Sequence, residues 1–301
     1  MAAKIIDGVA IAQAIRDECR HRVERLMSQS GIRPGLAVLV VGTDPASQIY
    51  VRNKIRACAN AGIESLRFDY PADVNQSIVI DQIERLNENP AIHGILVQLP
   101  LPQSFSMRRI LETIAVDKDV DGFHLYNVGA LVTGGTVFPP CTPYGVLRLL
   151  EHEQILLEGK NVVVVGASNI VGKPMALMLM QREATVSICH VKTRNLAQYT
   201  TLADILVVAA GHPNLITADM IRPGAVVIDV GINRLKDGRL VGDVDFKGVA
   251  EKASHITPVP GGVGPMTVSM LLVNTITSCE RLQQQTFIPA WTNRPLSHAA
   301  G

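Results

Sequence analysis

Tyr50-Val-Arg-Asn-Lys54 sets an aromatic ring and an amine at i and i+4, so on a helix they share a face. An amine so placed can pass a proton, and the ring can carry a flat or cationic substrate. Gln98 closes the apolar run Gly94-Ile-Leu-Val-Gln98, at the carboxyl end of a strand, where open α/β sheets hold their ligands. Asp121 lies in Asp117-Lys-Asp-Val-Asp-Gly-Phe-His124, the one carboxylate there followed by glycine, whose freedom in φ lets the loop turn that side chain into a cleft. Asp117 and Asp119 bracket Lys118 and are expected to pair locally or stay solvated. The loop lacks the spacing of a calcium-binding loop, and no metal is expected.

A different chemistry is written in the second half. The apolar run Asn161-Val-Val-Val-Val165 ends in Gly166-Ala-Ser-Asn-Ile-Val-Gly172, followed by Lys173-Pro174. A buried strand that breaks at glycine and reopens as a helix is how a dinucleotide fold meets a pyrophosphate, with the free N–H groups of the helix N-terminus aimed at the phosphates. The glycine spacing departs from G-x-G-x-x-G, because Ser168 stands at the close-approach position. After the next strand, Thr185-Val-Ser-Ile-Cys189, an enzyme for NAD would carry a carboxylate for the ribose 2′-hydroxyl. This chain has His190-Val-Lys-Thr-Arg194 there, so Lys192 and Arg194 are within reach of a 2′-phosphate. NADP is therefore expected over NAD.

The elements that must position these groups alternate between strand and helix. Helical spacing of Ile11, Ile15, Val23, Leu26 and Met27 predicts a helix over 8–29. Strands are expected at 36–41, 65–70 and 94–98, with helices at 48–61 and 78–87; Leu99-Pro-Leu-Pro102 ends the third strand. A linker rich in Gly and Pro is expected over 129–143, then strands near 162–165, 185–189, 205–210 and 225–230. Such alternation predicts an α/β fold with parallel sheets covered by helices. The apolar run 266–282 is long enough to cross back to the first half. The expected division is 1–138 with the return helix 266–284 as one domain, 139–265 as a Rossmann-like dinucleotide domain, and 285–301 as a flexible tail.

Bulk properties set the compartment and exclude partners. A formal charge of +1 with 47% hydrophobic residues leaves no extended basic surface for nucleic acid. The five cysteines, Cys19, Cys58, Cys141, Cys189 and Cys279, form no C-x-x-C pair, which suits reduced thiols and a cytoplasmic enzyme. No apolar stretch has membrane-spanning length, so no membrane partner is expected.

Thr257-Pro-Val-Pro-Gly-Gly-Val-Gly-Pro-Met-Thr267 packs three glycines and three prolines into a shaped loop whose backbone can press on a flat ligand. With this loop, Tyr50–Lys54, Gly94–Pro102, Asp117–Phe123 and Gly166–Gly172 in the same order, the chain from Ile6 to Cys279 resembles the bifunctional methylenetetrahydrofolate dehydrogenase/methenyltetrahydrofolate cyclohydrolases.

The resemblance implies NADP-dependent oxidation of 5,10-methylenetetrahydrofolate to 5,10-methenyltetrahydrofolate, then hydrolysis to 10-formyltetrahydrofolate in the same cleft. It implies that Lys54 is the acid/base group, that Gln98 holds it, that Tyr50 stacks on the folate rings and that Asp121 grips the pterin. Leu99, Pro100, Pro260, Gly261, Gly262, Val263 and Gly264 would line the folate site; Gly166, Ala167, Ser168 and Ile232 would hold NADP. Some members carry arginine at position 167 and serine or arginine at 191, where this chain has Ala167 and Val191. The 2′-phosphate then falls to Lys192 or Arg194, and NAD is the alternative cofactor. A homodimer through an edge of the nucleotide domain is implied as well. The alternatives to a bifunctional enzyme are a member with one active half and a non-catalytic folate-binding paralogue.

Overall fold

The computed structural model describes residues 2–284, so the expected tail 285–301 lies outside the described residues. Strand β1 (Lys4–Ile5) leads into helix α1 (Gly8–Ser30), whose first N–H groups are capped by Asp7. Strand β2 (Gly35–Val41), helix α2 (Pro45–Ala61), strand β3 (Glu64–Tyr70), helix α3 (Gln76–Glu88) and strand β4 (Gly94–Val97) follow. They build a parallel sheet in the order β3-β2-β4. Its central strand β2 is buried along its whole length, as an all-apolar strand covered on both faces must be. Helices α4 (Met107–Thr113) and α5 (Leu125–Thr133) complete this half.

Helix α6 (Cys141–His152) opens the second half. Strand β5 (Asn161–Val165), helix α7 (Gly172–Met180), strand β6 (Thr185–Cys189), helix α8 (Ala197–Thr200), strand β7 (Ile205–Val208) and strand β8 (Val226–Asp229) come next. A small hairpin, β9 (Asn233–Arg234) and β10 (Leu240–Val241), precedes helix α9 (Phe246–Ala250), strand β11 (His255–Ile256) and helix α10 (Val263–Gln284). The large sheet runs β1-β11-β8-β7-β5-β6, every neighbouring pair parallel. From β5 the chain goes outward to β6 and returns to the other side of β5 as β7. That reversal is the topological switch point where a sheet of this kind opens a crevice at its strand ends.

One core joins the halves. Leu36, Val38 and Val40 of the small sheet, Val162, Val164 and Ile228 of the large one, and residues of α1, α6 and α10 belong to the same buried cluster. Helix α10 packs on α1, α2 and α6, and at its crossing with α6 a Cβ on Gly145 would lie 2.8 Å from the Met266 Cβ.

Three expectations change. The stretch 129–143 is not a continuous linker: α5 runs to Thr133, stops at Gly134 with φ +83°, and α6 restarts at Cys141. Prolines 139 and 140 precede that helix and Pro143 sits in its first turn, where a missing N–H costs nothing, so its prolines mark a helix start. The N-terminal segment contributes β1 to the large sheet, a pairing that a two-residue strand does not announce in sequence. Strands expected over 205–210 and 225–230 end at Val208 and Asp229, which frees the residues after them for the crevice.

Candidate active site

The small sheet delivers the first cluster. Gln98 still donates its N–H to Leu39 O at 2.9 Å, one residue past the end of β4. Its Nε2 donates to Leu99 O at 2.7 Å, which turns Oε1 outward to accept from Lys54 Nζ at 3.1 Å. Lys54 reaches this partner from α2 and is only 8% exposed. The neutral amide holds the buried amine by one hydrogen bond without placing a charge of its own beside it. Tyr50, one turn earlier on the same face of α2, is half-buried, and burial raises its hydroxyl above the ordinary tyrosine range. Beyond Gln98 the chain leaves through a cis Leu99–Pro100 bond, with Leu99 half-buried and Pro100 exposed.

Asp121 completes this cluster. Burial pushes its carboxyl up, while the Lys54 charge pulls it down. The loop around it is pinned on both sides. Val120 O accepts from Asn274 Nδ2 at 2.8 Å and from Cys141 Sγ at 3.4 Å. Gly122, with φ +76°, lies so close to the backbone of Phe138 that a Cβ would come within 2.5 Å of its carbonyl oxygen. Neither Cys141 nor Asn274 is distinguishable in sequence from other buried residues of α6 and α10.

The neighbours of Asp121 correct an expectation. Asp119 is not solvated: at 1% exposure it accepts from Phe123 N, His124 N and Asn127 Nδ2 at 3.2, 2.8 and 2.8 Å. Lys118 is equally buried, and its Nζ donates to Leu86 O, Asn87 O and Asn89 O, closing the C-terminal end of α3. Burial lowers that amine from the ordinary lysine range. Lys118 and Asp119 therefore build the loop that presents Asp121.

The large sheet delivers the second cluster, at its switch point. Gly166, with φ +123°, presses on the loop after β7, where a Cβ would lie 2.2 Å from Ala209 O. Gly172 presses on Gly166 in turn. Here the helix-terminus expectation is corrected. Ser168 Oγ accepts from Val171 N at 3.1 Å and Gly172 N at 3.3 Å, Lys173 N donates to Ser168 O, and Pro174 has no N–H. The start of α7 is thus closed by the serine that replaces glycine. What remain without partners are the N–H groups of Ala167, Ser168, Asn169 and Ile170 in the turn itself, and the Ser168 hydroxyl proton. These donors, around a glycine with no room for a side chain, fit the pyrophosphate of a dinucleotide.

Past β6, His190 N donates to Thr193 Oγ1 at 2.9 Å and Lys192 N to His190 Nδ1 at 3.1 Å, which folds a tight turn. Lys192 and Arg194 project from it exposed, and Val191 is 94% exposed. Ile232, after β8, and the loop 260–264 touch each other. A Cβ on Gly264 would lie 3.5 Å from Ile232 Cδ1, and Gly261 and Gly262 press on Gly8 at the start of α1. Pro260 is exposed after a cis Val259–Pro260 bond, and Val263 is buried as the first residue of α10.

Comparison with known proteins places this geometry. The catalytic-domain profile of tetrahydrofolate dehydrogenase/cyclohydrolase matches residues 6–121, and the NAD(P)-binding-domain profile matches 140–283. The chain is 62% identical over 281 residues to the bifunctional protein FolD of Nitrosospira multiformis, covering 93% of this chain and 97% of that one. Among solved structures, the bifunctional FolD methylenetetrahydrofolate dehydrogenase/cyclohydrolase of Campylobacter jejuni superposes with a TM-score of 0.91 at 50% identity, over 93% of this chain and 100% of that one. The Trypanosoma brucei N5,N10-methylenetetrahydrofolate dehydrogenase-cyclohydrolase, solved with NADP cofactor and inhibitor, gives 0.92 at 41% identity, over 94% and 99%.

Proposed function

This chain belongs to the tetrahydrofolate dehydrogenase/cyclohydrolase family, and from that premise we propose that its two reactions share one cleft built on Lys54, Gln98, Tyr50 and Asp121. It is a bifunctional one-carbon enzyme, oxidising 5,10-methylenetetrahydrofolate with NADP and hydrolysing the methenyl product to 10-formyltetrahydrofolate. The observation that carries the site assignment is the buried Lys54 amine, held at 3.1 Å by the Gln98 amide beside Asp121.

NADP, when bound, takes up the hydride that leaves the methylene carbon. The folate product of that step is a delocalised cation, which repels an ammonium and favours the free amine of Lys54. Water adds to the methenyl carbon and Lys54 takes one of its protons and returns it to the ring nitrogen as the carbon–nitrogen bond breaks; the remaining hydroxyl proton is released to solvent as the formyl C=O forms. Gln98 fixes the amine without adding charge. Tyr50 offers a π-face to the conjugated ring and its positive charge. Asp121 accepts two hydrogen bonds from the amino group and ring N–H of the pterin. Leu99, Pro100 and the loop Pro260–Gly264 line the folate side; Gly166, Ala167, Ser168 and Ile232 line the dinucleotide side, with Lys192 and Arg194 on the 2′-phosphate.

We also assign residues up to 138 and the return helix to the folate unit and 139–265 to the nucleotide unit, with β1 lent to the latter. A homodimer would form through the open edge of the large sheet, where β6 exposes Ile188. Among the described residues no helix is long and apolar enough to cross a membrane. The direct test incubates purified protein with methylenetetrahydrofolate and NADP or NAD, following reduced cofactor and methenyl absorbance together. Both activities should appear, with NADP preferred. Loss of neither activity in Lys54→Met protein would sink the shared-cleft assignment.

A further inference from the structure

Two carboxylates lie buried where the large sheet opens, and the chemistry above uses neither. Asp229, the last residue of β8, is 3% exposed, and Asp243, just past β10, is fully buried. Each is surrounded by N–H donors. Asp229 Oδ1 accepts from Gly231 N and Asp243 N, and its Oδ2 from Val244 N, all at 3.0 Å. Asp243 Oδ2 accepts from Ala210 N at 2.6 Å and Gly211 N at 2.8 Å, while Oδ1 accepts from Asn233 Nδ2 at 2.8 Å. Burying two like charges side by side is costly, and burial together with the Asp243 charge outweighs the three backbone donors to leave Asp229 at about 6.

That cost is placed where it matters to a ligand. The N–H groups taken by Asp243 belong to the loop after β7, the same loop against which Gly166 presses. Those on the other side bracket Ile232: Gly231 is held by Asp229 and Asn233 by Asp243, while the N–H of Ile232 itself has no partner. The fit leaves no slack. A Cβ on Gly231 would lie 2.2 Å from Asp243 Cγ, and one on Gly242 would lie 1.8 Å from Asp229 Oδ2. Asp229 N also donates to Thr257 Oγ1 at 2.8 Å, tying the pair to the start of the folate-side loop.

We infer that Asp243, locked in place by Asp229, is a positioning residue of the dinucleotide site, fixing the loops 209–211 and 231–233 against the cofactor and so serving the oxidation but not the hydration. The inference rests on the cofactor-site assignment above. A residue that only holds the fold together would lower both reactions alike. A brace on the dinucleotide side lowers NADP affinity and leaves cofactor-free hydration alone.

The test uses the full chain and two readouts: calorimetric titration with NADP in the absence of folate, and hydration of methenyltetrahydrofolate in the absence of NADP. In Asp243→Asn an amide N–H₂ meets the N–H donors of Ala210 and Gly211, or that of Asn233. NADP should bind at least about tenfold more weakly, as for a lost hydrogen bond to a charged group. Hydration should stay within about twofold of wild type. Unchanged NADP affinity, or equal loss of binding and hydration, overturns the inference. Should Asp243→Asn not fold, Asn233→Ala keeps both carboxylates and removes one donor. It should weaken NADP about threefold with hydration intact, and an unchanged affinity there overturns the inference too. Ser168→Ala, titrated alongside, separates the premise. Loss at Ser168→Ala without loss at Asp243→Asn sinks the brace alone, and loss at neither sinks the site assignment with it.

Discussion

In the proposed mechanism Lys54 carries the heaviest load of any single side chain, because one buried amine is assigned to both the cationic product and the water that opens it. Replacing it by Met keeps an apolar stem of similar length and removes the amine. Hydration should fall at least about a hundredfold, the usual contribution of a positioned acid/base group, with little change in melting temperature. Near-wild-type hydration would remove Lys54 from the mechanism. Asp121 and Asp119 make a sharper pair, since both are carboxylates of one loop. Asp121→Asn places a donor opposite the pterin's donors, so folate binding and both reactions should weaken while the fold holds. Asp119→Asn instead sets an N–H₂ group among the N–H groups of Phe123, His124 and Asn127. It should cost about 1–3 kcal/mol of stability, the penalty for an unmatched buried donor. Chemical denaturation alongside folate titration separates the two. If Asp121→Asn loses folate only in step with unfolding, it is structural as well.

At the scale of elements, strand ends and the turns after them decide what the cofactor meets. The turn after β5 closes the start of α7 with its own serine, so the proposed phosphate site uses the turn's N–H groups in place of the helix terminus. The turn after β6 is locked by His190 and Thr193, leaving Lys192 and Arg194 in solvent and available to a 2′-phosphate. Lys192→Ala and Arg194→Ala should weaken NADP, by about 1.5–3 kcal/mol for a lost charge-assisted phosphate contact, and spare NAD. Equal weakening of NAD and NADP would mean that the turn does not read the phosphate. No effect on either would make it a solvated face.

Across the whole molecule, a common core of α1, α6 and α10 packs between the two sheets, as the proposed brace on one and shared cleft with the other require. The brace has a measurable cost. Asp229 sits at about 6, whereas an aspartate of the unfolded chain titrates at about 3.9. The native state therefore keeps a proton there that the unfolded chain has already released. Its stabilisation is fully present below about pH 4 and is lost as pH rises through about 6. Relative to Asp229→Asn, the wild type should lose about 2–3 kcal/mol between pH 4 and pH 7, at about 1.4 kcal/mol per pH unit. Urea denaturation of both proteins across that range measures the gap, and a constant gap would place Asp229 at an ordinary carboxylate value. Burying the two carboxylates side by side costs stability, the usual trade at sites that serve function.

Local pattern was enough for the elements whose signal is contained in a few consecutive residues. The all-apolar run of β2, the helical spacing of α1 and the break at Gly166 each follow from side-chain period and backbone sterics. The same holds for Tyr50 and Lys54, since a shared helix face is a matter of counting, and for Gln98, since a strand end is marked by its prolines. Tertiary structure alone decided which partner each polar group would take. Gly122 marks Asp121 in the sequence, but nothing along the chain shows that Asp119 accepts from backbone N–H groups while Asp121 lies beside the Lys54 charge. Asp229 and Asp243 are fourteen residues apart, and only the return of the chain past β10 sets them side by side. A buried charge is specified by the N–H groups that converge on it, and convergence of distant backbone is what a linear sequence does not display.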